Sequence, residues 1–293
     1  MKQIIGLLDG RIGNCMFETA NAYSFALDND AECLMMSNYH IQPSPDNCTL
    51  ENYLTTFNKN IMRNVKYTNI NQYIADYEIL NRKHVCKTDI KNVYIFGDIT
   101  MYIEDDFNYN KIPFVNDKMY LRGYFQSDKY FINHKKEIFD LFSIDNLTKN
   151  QIENEYGELL KNGAISIHVR RGDYLKLQHL FNVLPYEYYE KIINYFGKNK
   201  TYLIFSDDIK WCKENFKGDN FHFIDSNSPV IDLYTQTLCE HNIISCSTFS
   251  WWGAYLNQNI DKKVFIPYPW FNKGYRGDTT DIYPENWIKN YIK

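Results

Sequence analysis

Two arginines stand side by side in His168-Val169-Arg170-Arg171-Gly172-Asp173-Tyr174, directly after the apolar run Ala164–Val169. Arginine stays charged at any physiological pH and can grip two phosphate oxygens at once, so an adjacent pair suits a diphosphate. His168 and Arg170 are two apart, which on a strand puts both on one face, while Gly172 permits the turn into which Arg171 is released. The same arginines would serve equally well to pair with local carboxylates such as Asp173 or Asp208. A second cluster, Ser206-Asp207-Asp208, follows another apolar run. A third, Ser245-Cys246-Ser247-Thr248-Phe249-Ser250-Trp251-Trp252, offers hydroxyls and backbone N–H groups where a helix begins, a seat for phosphate or an ordinary N-cap. Trp251 and Trp252 read more naturally as core than as ligand contacts.

Metal chemistry has weak support in this pattern. The seven histidines form no HxxxH or HExxH pair, so no zinc site is expected. Asp28-Asn29-Asp30 has the DxD form of metal-dependent transferases, yet it ends a helical pattern and reads as a solvated helix end. Asp207-Asp208 does follow a strand but lacks the carboxylate spacing that Mg²⁺ wants. Arginines in place of a divalent ion are therefore the expected means of neutralising a departing anion, and no metal or cofactor is expected.

These clusters need a scaffold that brings them together. The first half opens with an apolar run, Ile4–Leu8, a glycine turn, Asp9-Gly10-Arg11-Ile12-Gly13-Asn14, and helical spacing through Met16, Ala20, Tyr23 and Leu27, the opening of a Rossmann-like unit. Strands are expected near Cys33–Met36 and Tyr94–Phe96, with helical or loop segments between them. Leu121–Ser127 reads as a strand and its exit, and Asp128–Leu141 as a helix. Residues 143–163 are polar and read as a domain junction. The second half alternates regularly: strands over Ala164–Val169, Thr201–Phe205, Phe221–Ile224, Asn242–Ser245 and a last one over Lys263–Ile266. Between them come helices over Tyr186–Phe196, Asp208–Phe216, Pro229–Glu240 and Ser250–Gln258. Such alternation favours an α/β fold with parallel sheets covered on both faces. Pro284–Ile292 reads as a final helix able to pack on either half. The expected division is 1–155 and 156–293. Ligands of a parallel sheet bind at the carboxyl ends of its strands, where all three clusters fall.

With 293 residues, 44% hydrophobic and 23% charged, the chain can bury a sizeable core. Its net charge of −4 argues against nucleic acid as a partner. Seven cysteines, an odd number without a CxxC pair, fit free thiols in a reducing compartment. No apolar run approaches the roughly 18–20 residues of a membrane span, so a cytoplasmic protein is expected.

At these residues the chain resembles the α-1,2-fucosyltransferases. The matching pieces are Gly13-Asn14 with Met16-Phe17, Gly123-Tyr124-Phe125-Gln126-Ser127, the run from His168 to Tyr174, Phe205-Ser206-Asp207-Asp208, Asp232-Leu233-Tyr234, and Ser247 through Ala254. They occur in order over most of the chain; residues 30–115 carry little of it. The resemblance implies a GT-B fold, two Rossmann-like domains facing a central cleft, with GDP-β-L-fucose as donor, no metal, and inversion at the anomeric carbon. It implies that Arg170 holds the β-phosphate with Arg171 in support, and that His168 and Asp232 contact guanine. Ser247, Thr248, Ser250 and their neighbours Phe249 and Trp251 would bind the diphosphate and fucose, with Asp207 and Asp208 also on the donor side. Gly13 and Asn14 would approach from the N-terminal half, which supplies most of the acceptor site. Where the family usually has glutamines and an aromatic, this chain has Cys15-Met16-Phe17-Glu18-Thr19, which bears on the acceptor and not on the donor.

The expected reaction is an in-line displacement by the 2-hydroxyl of a galactose, on a galactose-terminated glycan or lipid-linked oligosaccharide. By analogy it serves surface polysaccharide synthesis, with peripheral contact at the inner membrane. Arg170, Arg171 and Asp173 are the catalytic candidates, with Glu18 as a further candidate base. Two rivals remain: a transferase of the same fold using another donor such as GDP-mannose, and a non-catalytic glycan- or nucleotide-binding protein.

Overall fold

The computed structural model describes residues 1–37, 65–68, 86–96, 99–226 and 228–292. They form two units, Met1–Ser143 with Thr280–Ile282, and Ile144–Thr279 with Tyr283–Lys293. Cys48, and most of the segments expected between Cys33–Met36 and Tyr94–Phe96, lie outside the described residues.

The first unit is built on a seven-stranded sheet in the order β3-β2-β1-β7-β6-β5-β4. These are β1 (Gln3–Leu8), β2 (Glu32–Ser37), β3 (Val65–Thr68), β4 (Cys86–Lys87), β5 (Val93–Phe96), β6 (Ile99–Ile103) and β7 (Lys118–Arg122). Strands β3, β2, β1, β7 and β6 run parallel, while at one edge β5 pairs antiparallel with both β6 and β4. Ile5, Leu34, Met36, Ile99, Met101 and Tyr120 bury one face, with Leu7, Tyr94 and Ile103 packed against them. Helix α1 (Ile12–Asp28) covers the other. A Cβ on Gly6 would sit 3.0 Å from Ala22 Cβ and 2.5 Å from Met35 Cε, so the bare glycine lets α1 approach the sheet.

The second unit is a six-stranded, wholly parallel sheet in the order β10-β9-β8-β11-β12-β13. Its strands are β8 (Ile165–Val169), β9 (Tyr202–Ser206), β10 (Phe221–Ile224), β11 (His241–Ile243), β12 (Val264–Tyr268) and β13 (Ile288–Tyr291). Numbered from β8, the order is 3-2-1-4-5-6, the doubly wound arrangement whose direction of winding reverses between β8 and β11. The helices around it are α3 (Asn146–Lys161), α4 (Tyr186–Phe196), α5 (Ile209–Asn215), α6 (Pro229–Thr237) and α7 (Thr248–Tyr255); α2 (Lys135–Leu141) belongs to the first unit. Asn242, wholly buried, donates to Ser166 Oγ (2.7 Å) and the Gln236 carbonyl (2.9 Å) and accepts from Asn257 (2.8 Å). This satisfied polar knot ties β8 to β11 at the reversal point.

The structure departs from the sequence reading in five places. The polar stretch 143–163, at whose start the two units divide, is helical where no element was expected: it is mostly α3, capped by Asp145 and burying only Thr148, Ile152 and Tyr156, one narrow stripe on a solvated helix. The helix expected over Pro284–Ile292 is instead β13, so Lys263–Ile266 is not the last strand. Its edge position leaves Ile288 and Tyr291 38% and 65% exposed, which hides the strand pattern. Asp128–Leu141 is two short 3₁₀ turns and then α2, because Phe131 leaves helical geometry with φ −141°. The strand placed over Leu121–Ser127 ends at Arg122, and Gly123 and Phe125 turn with positive φ. Gly13 and Asn14 belong to the first turn of α1 rather than to the glycine turn before it.

Cys15, Cys33, Cys212, Cys239 and Cys246 are buried free thiols. Among the described residues no helix is long and apolar enough to cross a membrane.

Candidate functional site

The three central strands of the second sheet, β9, β8 and β11, run side by side and in one direction, so their exits lie on one edge. Every residue of β8 is buried, and the chain first reaches the surface at Arg170. The HxRRGDY run, the Ser206–Asp208 run and the Ser245–Ser250 run therefore meet where winding reverses, the place in such sheets where ligands bind.

Both arginines are already paired. Arg170 Nη1 lies 3.0 Å from Asp207 Oδ2 and Nη2 2.5 Å from Asp173 Oδ1, and its guanidinium stands 5.2 Å over the Tyr174 ring. Tyr174 in turn donates its hydroxyl to the Cys246 carbonyl at 3.0 Å, so Arg170 is tied to the serine-rich loop through one aromatic side chain. Arg171 Nε pairs with Asp208 Oδ2 at 3.1 Å, with its guanidinium 4.2 Å from the Trp211 ring. Its backbone N–H donates to Asp207 Oδ1 at 2.9 Å.

The two alternatives left open by the sequence are thus combined: the arginines stand at the strand exits, and three carboxylates hold them there. Asp207 has one oxygen on each arginine residue and acts as a brace. Asp208 caps α5 through the Trp211 N–H as well as holding Arg171. Asp173 is the loose member, 45% exposed against 27% and 29% for Asp207 and Asp208. A Cβ on Gly172 would come within 2.4 Å of Asp207 Oδ2, so only glycine admits the brace.

His168 is 6% exposed, bonded through Nδ1 to Ser245 Oγ at 2.8 Å, and lies 5.4 Å ring to ring from Phe249. Burial, then the charge of Arg170, pushes it down to about 3, so it is neutral. The unfolded chain takes up this proton first as pH falls. The contribution to stability is therefore complete above about pH 6.5 and is lost progressively towards pH 3. Urea unfolding below pH 6 is expected to show a slope that His168→Gln flattens by about 1.4 kcal/mol per pH unit. Identical slopes in the two proteins would contradict a neutral buried imidazole.

In the serine-rich loop, Ser247 is the N-cap of α7 and Thr248 and Phe249 are the partly exposed side chains of its first turn. Ser250 is wholly buried, donating to the Ser247 carbonyl at 3.2 Å. Trp251 is wholly buried too, stacked on Tyr255 at 4.6 Å and packed on Trp252 and Trp287, so it supports the loop from the core. Asp232 sits in the first turn of α6, accepting from Ser226 at 2.6 Å. Burial raises its carboxyl to about 6, Ser226 lowers it, and Asp225 and Glu155 raise it. In the first unit, Asn14 accepts from Gln126 at 3.2 Å, joining the start of α1 to the exit of β7. Asp28 pairs with His134 at 2.7 Å and remains a solvated helix end.

Sequence reasoning missed the parts that hold the site. Tyr188 and Tyr189 of α4 donate to the carbonyls of Ile244 and His168, and Trp211 lies against the Arg171 guanidinium. The tyrosine pair carried a signal, since two hydroxyls on the buried side of a helix must find acceptors.

The glycosyl transferase family 11 model matches residues 98–292. An α-1,2-colitosyltransferase of Escherichia coli is 32% identical over 180 residues, 57% of this chain and 61% of that protein. The O-antigen biosynthesis glycosyltransferase WbnK of Escherichia coli is 32% identical over 209 residues, 67% of this chain and 60% of that protein. The chain thus spans about three-fifths of the length of these relatives. Among solved structures, the fucosyltransferase NodZ from Bradyrhizobium aligns with a TM-score of 0.52 at 14% identity, covering 86% of this chain and 91% of that one. The likeness is one of fold, and the fold is GT-B.

Proposed function

The chain belongs to glycosyl transferase family 11, and from that membership we propose that it transfers L-fucose from GDP-β-L-fucose to the 2-hydroxyl of a galactoside, with inversion. The observation that carries this reading is the meeting of Arg170 with the Ser245–Phe249 loop at the reversal point of the second sheet. A diphosphate there would displace Asp173, the most exposed of the three carboxylates, and take its place on Arg170 while Asp207 and Asp208 keep both arginines aligned. The N-terminus of α7 adds its dipole to the same anion. His168 and Asp232 are assigned to the guanine by the family resemblance.

In the reaction the acceptor oxygen bonds to C1 of the donor sugar and passes its proton to a carboxylate such as Asp173 or to water. The bond from C1 to the β-phosphate oxygen breaks, and its electron pair leaves with GDP. Arg170 meets more negative charge in the transition state than in the bound donor, which is the condition for it to raise the rate rather than only the affinity. No divalent ion is assigned to this role. Transfer is expected to continue in EDTA, and complete loss restored by Mn²⁺ would replace the arginines with a metal.

A second reading is favoured by the colitosyltransferase relative: the same transfer from the corresponding colitosyl donor, a sugar related to fucose. Incubation with either donor and an array of galactose-terminated acceptors, with products weighed by mass spectrometry, separates the two. No product from either donor would point to a binding protein. The O-antigen relative supports a lipid-linked oligosaccharide as acceptor, reached at the cytoplasmic side of a membrane.

A further inference from the structure

The first sheet has its own reversal point, between β1 and β7, and its exits carry acids where the second sheet carries arginines. Asp9 follows β1, Glu104 follows β6, and Tyr124 follows β7; Cys15 and Glu18 stand on α1 beside them. Glu18 is 2% exposed. Its Oε2 accepts from the Asp9 N–H at 2.9 Å, while its Oε1 is buried with no hydrogen-bond partner among the described residues. An unpaired buried carboxyl oxygen is costly, and the same carboxyl holds, through its other oxygen, the exposed turn Asp9–Arg11, in which Gly10 has φ +86°.

We propose that Glu18 is an acceptor-recognition residue, whose Oε1 pairs with one hydroxyl of the incoming sugar when the Asp9–Arg11 turn yields. The inference rests on the transferase reading above and names a specificity-determining group for it.

The chemistry of the surroundings selects a neutral hydroxyl. Burial raises the Glu18 carboxyl well above the usual carboxylate range; the Asp9 N–H opposes this, and the charges of Asp9 and Glu104 add to it. Glu104 is itself raised to about 7, chiefly by burial, although it accepts from the Tyr124 and Phe125 N–H groups at 2.7 and 2.8 Å. Burial raises the Tyr124 hydroxyl, Asp9, Glu18 and Cys15 add to this and Arg122 opposes it, and its ring stacks on Phe107 at 6.1 Å. Carboxyls raised this far are largely uncharged, so the cluster offers oxygens for hydrogen bonding rather than a charge for an ion. A hydroxyl both donates and accepts, so it pairs with Oε1 whether the carboxyl is protonated or not. Glu104 fixes the β7 exit, and Gln126 joins that exit to Asn14, so these neighbours are held by hydrogen bonds while Asp9–Arg11 is exposed.

The test uses the full chain as wild type and as Glu18→Gln, which keeps an oxygen for the Asp9 N–H. Binding of methyl β-galactoside and of its singly deoxygenated derivatives is followed by saturation-transfer NMR. Transfer kinetics with the same compounds are run alongside. In the wild type, one deoxy compound is expected to bind about tenfold more weakly than the parent. In Glu18→Gln the parent weakens about tenfold and that discrimination vanishes. A deoxy profile unchanged by the substitution, or no binding of the series to either protein, overturns the proposal. GDP affinity, measured separately by calorimetry, reports on the Arg170 site. Its absence would count against the transferase reading, not against Glu18.

Discussion

Replacing Arg170 with alanine is expected to lower the transfer rate by about 10²- to 10³-fold, the effect of removing one preorganised donor from a departing anion. The fold should survive. Arg170 is a surface-edge residue, 14% exposed, whose ion partners are Asp173 and Asp207, and Asp207 keeps its bond from the Arg171 N–H. A change in stability of about 1 kcal/mol or less is therefore expected. Arg170→Lys keeps the charge but loses the fork that spans two oxygens, so it should fall between wild type and alanine. Steady-state rates at saturating donor, with a urea midpoint measured on the same preparation, decide the matter. Near-normal turnover in well-folded Arg170→Ala would remove this side chain from the mechanism.

The second large effect is on stability. Trp251→Ala is expected to cost about 3–5 kcal/mol, the range for emptying a wholly buried aromatic site. Three rings lose a neighbour: Tyr255, Trp252 and Trp287. Trp287 lies just before β13, so the loss reaches the edge of the sheet as well as the serine-rich loop. Trp251→Phe refills part of the space and should recover roughly half of the loss. Chemical denaturation of the three proteins measures this. A Trp251→Ala protein as stable as wild type, but weak in GDP binding, would return Trp251 to the ligand contacts.

What the sequence made legible follows from length and periodicity. The central strands β8 and β9 are short, largely apolar runs closed by polar or glycine-containing turns, and buried strands of a parallel sheet look like this wherever they occur. Their exits could be named as the site because the rule for parallel sheets depends on strand direction alone. Elements at the margins were harder. Strand β13 has one buried side chain, Asn290, so its pattern is that of an edge. Helix α3 buries three residues among sixteen, so it reads as a linker. The ion pairs were visible as an alternative but not as a certainty, since a charge says nothing of its partner until the backbone is folded. Asp207 shows this best: adjacent to Asp208 in sequence, it braces Arg170 while Asp208 takes Arg171. Glu18 could be named from the sequence as a candidate base, but its orphaned oxygen could not, because a glutamate within a helix is ordinarily solvated.

The tripeptide Thr280–Ile282 belongs to the first unit although the chain on either side of it belongs to the second. Asp281 meets Lys129 at 2.5 Å and receives the Tyr109 N–H at 2.9 Å. A fragment cut after Ser143 therefore lacks a staple that is synthesised well over a hundred residues later. The last piece of the amino-terminal unit leaves the ribosome only after most of the second unit has been made.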